Sequence, residues 1–183
     1  MARSGIEIAK ALVTLGLVLG ATVVTLSGLD HLPAWLQGQP RGVRRLASIE
    51  EAERRLKARL FLPAYFPDTL RWPPSAVRYV GGDPSSVALL FDGSSGGLEL
   101  VFAQTAGGSG PISPRVFPEA SVLQRFPLAV GEGEGWLERV VGDDGAVWNE
   151  VTWLQRGERL ALRGKGSVEQ LIRMARSTRR EGP

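Results

Sequence analysis

Hydrophobic and polar positions divide the chain into two unlike parts. Residues 11–29 (ALVTLGLVLGATVVTLSGL) carry no charge. At 1.5 Å per residue such a run covers ~28 Å of helix, near the ~30 Å hydrocarbon thickness of a bilayer. Glu7 and Lys10 bound it on one side and Asp30 and His31 on the other, and Trp35 follows where an interfacial aromatic anchors. The pattern predicts an N-terminal transmembrane helix. A cleaved signal peptide carries a shorter apolar core, roughly 7–15 residues, then a small-x-small site. Thr25, Leu26, Ser27 and Gly28 match that site poorly, so the helix is read as a retained, single-pass signal-anchor in the cell membrane. Arg3 and Lys10 place residues 1–10 in the cytoplasm as a short tail. Arg41, Arg44 and Arg45 pull the other way but are soon followed by Glu50, Glu51 and Glu53. The soluble part is therefore expected outside the cytoplasm. Gly16 and Gly20 form a GxxxG, which lets a second helix backbone approach closely and predicts a helix–helix interface with a membrane-protein partner.

Beyond the helix, residues 30–46 read as a juxtamembrane linker broken by Pro33, Gly38, Pro40 and Gly42. Residues 47–178 read as one domain, with 179–183 a tail. Ser48 and Glu51 make a capping box ahead of Ile49, Ala52 and Leu56 at helical spacing, predicting a short helix over about 49–58. β-rich runs at 76–81, 86–92, 97–105, 122–126, 135–141, 146–155 and 159–163 alternate with Gly-, Asp- and Pro-rich turns. Val147, Val151 and Trp153 mark an inward face on the longest. Ser167 and Gln170 form a second capping box, and Val168, Leu171, Ile172 and Ala175 make a stripe for packing on a sheet. The expected fold class is α+β: the transmembrane helix, then a curved, mainly antiparallel sheet of six or seven strands with a leading and a closing helix.

Composition narrows the function. The chain of 183 residues is 43% hydrophobic and 22% charged, that of a globular protein. The net charge of +3 is scattered, with no basic stripe interleaved with aromatics, so nucleic acid is not an expected partner. Cys is absent, which excludes disulfides, thiolate ligands, a cysteine nucleophile and a lipoprotein anchor. His31 is the one histidine, which excludes a multi-histidine metal site and a His-containing triad in the domain.

Ser48, Ile49, Glu50, Glu51 and Ala52, followed by Leu60, Phe61, Leu62, Pro63, Ala64, Tyr65, Phe66, Pro67 and Asp68, resemble the opening of an extracytoplasmic domain of unknown function. That domain is found in bacterial single-pass membrane proteins, some of them anti-sigma-factor-like. Val151, Thr152 and Trp153, then Gly157, Leu160, Leu162 and the segment from Ser167 to Ser177, are similar to its ending. The resemblance covers roughly 47–178, with specific matches at the two ends. It implies no activity and no catalytic residues. It does imply a sheet similar in style to lipoprotein-carrier and periplasmic regulatory domains, which bind acyl chains or partner proteins. Ten residues ahead of the helix leave no room for a cytoplasmic sigma-binding domain, so a direct anti-sigma role is not expected.

Candidate chemistry is thin. Glu132, Glu134, Glu138, Asp143 and Asp144 lack the spacing of a calcium loop or of an acid pair, and read as a solvated turn. Gly131, Gly133 and Gly135 do not have dinucleotide-loop spacing, and Ser94 and Ser95 have no nucleophile elbow. No cofactor or metal is expected, and no enzyme. Trp148 faces opposite to Trp153 on its strand, so Trp148, with Tyr65 and Phe66, is a candidate partner or ligand surface. The expected function is a non-enzymatic, membrane-anchored extracytoplasmic interaction domain, a regulatory or accessory subunit of a larger membrane complex. The alternative is a carrier-like domain holding a lipid or acyl ligand.

Overall fold

The computed structural model describes residues 42–106, 110–130 and 133–180. In chain order these form β1 (Val43–Leu46), α1 (Ile49–Leu56), β2 (Phe61–Pro63), β3 (Ala76–Val80), β4 (Ser85–Asp92) and β5 (Leu98–Ala106). A 3-10 turn (Pro114–Val116) precedes β6 (Ala120–Val130), β7 (Gly133–Gly142), β8 (Val147–Gln155) and β9 (Glu158–Gly164), and α2 (Val168–Ser177) and β10 (Thr178–Arg180) close the domain.

Eight strands form one antiparallel sheet in the order β1-β3-β4-β5-β9-β8-β7-β6. It consists of two meanders, β1-β3-β4-β5 and β6-β7-β8-β9, joined where β5 pairs with β9. To start the second meander at the far edge, the chain must cross the sheet between β5 and β6. Residues 110–119 of that crossover lie on one face, where Val116 and Phe117 pack on Ala88, Leu90, Val101 and Ala103. The two helices cover the other face, over Val87, Leu89, Phe91, Phe102, Val151, Trp153, Leu160 and Leu162. With both faces covered, β4 is buried continuously from Ser86 to Phe91 and shows no alternation.

Both helices begin at their predicted serine caps. The Glu51 N–H donates to Ser48 Oγ at 3.2 Å, and Glu51 reaches back to accept from the Ala47 N–H at 3.0 Å. The Gln170 N–H donates to Ser167 Oγ at 3.2 Å. α1 ends at Lys57, whose φ of 56° breaks the helical path. α2 comes close to the sheet because β9 ends on Gly164, where a Cβ would lie 3.1 Å from Leu171 Cδ2 and 2.9 Å from Leu100 Cδ1.

A second, two-stranded sheet pairs β2 with β10. It is clipped to the main sheet by Gln104 on β5, which is 0% exposed. Gln104 Oε1 accepts from the Phe61 N–H at 2.8 Å, and its Nε2 donates to the Arg59 carbonyl at 3.1 Å and to Glu158. Arg180 in turn donates to Glu158 and lies 4.6 Å over the Phe61 ring.

Two parts of the expected fold class are corrected. The sheet has eight strands rather than six or seven, two more form a separate sheet, and the chain passes from its last helix into β10 rather than ending on the helix. The domain is thus mostly antiparallel sheet with two short helices. The added strands escape sequence patterning for physical reasons. β1 reads Val-Arg-Arg-Leu, β2 ends on Pro63 and β10 is Thr-Arg-Arg, so none carries an alternating apolar run. Nor is a transmembrane helix found: among the described residues no helix is long and apolar enough to cross a membrane, the two having 8 and 10 residues. Residues 11–29 lie outside the described residues.

Candidate functional site

The register lines up four charged side chains in one row across the crossover face. Arg125 on β6 stands opposite Glu138 on β7, Glu138 opposite Glu150 on β8, and Glu150 opposite Arg163 on β9. Both glutamates are 7% exposed. Arg125 donates to Glu138 and lies 5.3 Å from the centre of the Trp136 ring. Arg163 donates from Nε to Glu150 Oε2 at 2.6 Å and from Nη1 to the Pro118 carbonyl at 2.6 Å, with its guanidinium 4.4 Å over Phe117. Burial pushes the Glu150 carboxyl above the usual carboxylate range, the Arg163 charge opposing the shift and the Glu138 charge adding to it. The row floors a groove of about 420 Å³ beside the crossover, with Trp136 and Phe117 on its sides. Each carboxylate is claimed by its own guanidinium, so the row acts as an ion-pair ladder fastening the crossover to the sheet. No group of three or more His, Cys, Asp or Glu that could hold a metal occurs among the described residues.

The edge strand β6 is the other unusual surface. It pairs with β7 alone, and residues 121–127 are all exposed. Val122 and Leu123 are each 55% exposed and Phe126 51%; beside them Val147 is 43% and Trp136 37% exposed. These side chains occupy both faces of the edge. Phe126 stands opposite Leu137 on the helix face, and Val122 opposite Val140 on the crossover face. Leu123 is the extra residue of a bulge between Val122 and Gln124. On the helix face a groove of about 510 Å³ runs between β6 and the start of α2, lined by Phe126, Leu137, Val147, Val168 and Arg139. Val147 shares a face with Val151 and Trp153, yet it is 43% exposed while those two are 0% exposed.

The residues singled out from the sequence are not brought together. Trp148 does face opposite to Trp153, but the residue is 5% exposed, with Lys165 Nζ 4.8 Å from the centre of its ring. Tyr65 and Phe66 are half-buried on the helix side of the main core. The Tyr65 N–H donates to Ser177 Oγ at 3.0 Å, and Arg173 lies 3.9 Å over its ring, so it docks α2. Phe66 packs edge-on to Phe91 at 4.9 Å and to Trp72 at 5.9 Å. Gly16 and Gly20 lie outside the described residues. Glu138 is not part of a solvated turn: with Glu150 it forms the cross-strand acid pair that sequence spacing did not reveal. Its signal was the alternation Trp136, Glu138, Val140, which puts the acid on a covered face once the pairing is known. Compared with known proteins, the chain matches no family model, no curated protein and no solved structure.

Proposed function

We propose that residues 42–180 form the working part of a membrane-anchored, extracytoplasmic interaction domain, a non-enzymatic regulatory or accessory subunit of a larger membrane complex. The observation that carries the reading is the β6 edge. Three of its apolar side chains, Val122, Leu123 and Phe126, are more than half exposed, and Val147 and Trp136 extend the patch. An apolar concentration of this kind on an otherwise packed domain marks an interaction surface. The uncharged run 11–29 and the resemblance to extracytoplasmic domains of bacterial single-pass proteins support the location.

The acyl-carrier alternative is disfavoured by the filled helix-face core. Trp153, Phe61, Phe91 and Phe102 are all at most 1% exposed.

Purification of the full chain from its own membranes in mild detergent tests the proposal. A stoichiometric companion chain is expected with the unaltered protein and is lost with Phe126→Glu, while the thermal midpoint stays within a few degrees. A monomer with no companion, or a companion retained by the variant, overturns the reading.

A further inference from the structure

We infer that β6 receives an extended, acidic segment of a partner protein as a ninth strand of the main sheet. The inference deepens the proposed interaction role and rests on it. Three observations on the edge strand converge.

The first is the two-sidedness of the exposed apolar groups. Phe126 lies on the helix face and Val122 on the crossover face, with Leu123 between them at the bulge. A helix laid on one face would cover one of these and leave the other wet. A strand added in the plane of the sheet places its alternate side chains on both faces, beside both groups at once.

The second is the contrast between the two edges. β1 has four residues, of which Arg44 and Arg45 are exposed, as expected of an edge kept from pairing. β6 has eleven residues, pairs on one side only, and has a single charged residue, Arg125. Pro127 lacks an N–H, and proline in a sheet turns that position toward the open side of an edge strand. The open part of the edge therefore lies ahead of Pro127, as Ala120–Val122 and Gln124–Phe126 on either side of the Leu123 bulge, and an added strand must follow the bend there.

The third is charge. β6 contains no carboxylate; its Arg125, on the crossover face, is already paired with Glu138, whereas Arg139 of β7 projects, exposed, on the helix face. Arg139 has neutral register neighbours, Gln124 and Asn149, and no ion pair among the described residues. A second copy of this chain pairing along β6 would bring Arg125 and no acid to the contact. A segment that sets an apolar side chain beside Phe126 and a carboxylate toward Arg139 on the helix face, with an apolar side chain toward Val122 on the crossover face, matches this edge. Its backbone supplies the ladder and its acid the register.

The experiment places a photo-crosslinking amino acid at Leu123, and in a control at Trp72, in the full chain in its own membrane. The crosslinked segment is identified by mass spectrometry, and a synthetic peptide of that segment is then offered to the purified full chain. Three results are expected together. Crosslinking occurs at Leu123 and not at Trp72, to a segment carrying at least one carboxylate within the crosslinked strand length. The peptide slows amide exchange within 120–126. Arg139→Glu lowers crosslinking by about fivefold or more, since like charges then face each other. Crosslinks to a second copy or to a segment without carboxylates overturn the inference and leave the interaction role standing, as does peptide binding that leaves β6 exchange unchanged. No crosslink to any chain from Leu123 overturns both.

Discussion

Glu150 and Arg163 stand directly opposite each other on β8 and β9, joined Nε to Oε2 at 2.6 Å, with side chains 9% and 11% exposed. Through the second donor of Arg163, this pair also holds the Pro118 carbonyl, so one guanidinium ties two strands and the crossover together.

Removing the acceptor while leaving the guanidinium buried should be costly. Glu150→Ala is expected to lower unfolding free energy by about 1.5–3 kcal/mol, the range for a lost hydrogen bond to a charged group, read from urea denaturation. Glu150→Gln keeps an oxygen toward Arg163 and should cost less. Its pH profile provides a second test. Because burial raises the folded-state pKa of Glu150, the native state holds more protons than the unfolded chain between the unfolded and folded values. The group's contribution is therefore fully present below the unfolded pKa and is lost as pH rises through the folded one. Glu150→Gln should remove that decline. Glu50 and Glu51 work in the opposite direction. The Ser48 hydroxyl lowers the first and the Ala47 N–H the second, so their contributions are present above the ordinary carboxylate range and fade as pH falls.

Gln104 is the clip between the two sheets. Gln104→Leu fills similar space but strands the Phe61 N–H, at about 1–3 kcal/mol for a buried unsatisfied group. Native-state hydrogen exchange should show the Phe61 amide opening far faster than the amides of β4 and β5. Equal protection in variant and parent would show that β2 is held by other means.

Arg45 and Arg78 are direct cross-strand neighbours on β1 and β3 with no ion pair to either among the described residues. Burial first, and then the Arg45 charge, lower the pKa of Arg78. Converting the repulsion into attraction with Arg45→Glu should stabilise the domain by about 0.2–1 kcal/mol. The gain in denaturation midpoint should shrink in high salt.

Gly135 on β7 sits where the backbones of three strands crowd together. A Cβ there would lie 2.6 Å from the Thr152 carbonyl oxygen and 3.1 Å from that of Leu128. Both obstacles are backbone and cannot rotate away. Gly135→Ala should cost about 1–3 kcal/mol as an overpacked site, with β6 and β7 amides exchanging faster.

Local signals made much of the domain legible. Ser48 and Ser167 announced both helix starts, because a capping box is satisfied within four residues of chain. The seven alternating or apolar runs between 76 and 163 each correspond to a strand, and the opposite facing of Trp148 and Trp153 followed from the period of two. What escaped depended on distant chain. β1, β2 and β10 are strands because neighbours supply their hydrogen bonds, not because their own side chains alternate. Trp148 proved buried because other residues pack over it.

The sequence by itself determined the two helices and the seven patterned strands between 76 and 163, the serine caps, the uncharged run at 11–29, and the absence of cysteine and of any histidine beyond His31, since each is a property of neighbouring residues or of composition. Only the tertiary structure decided which strand lies at the edge and which acids meet. β6 is exposed because the crossover carries the chain to the far side before the second meander begins, and Glu138 meets Glu150 because antiparallel register, set by the whole sheet, brings positions twelve residues apart face to face.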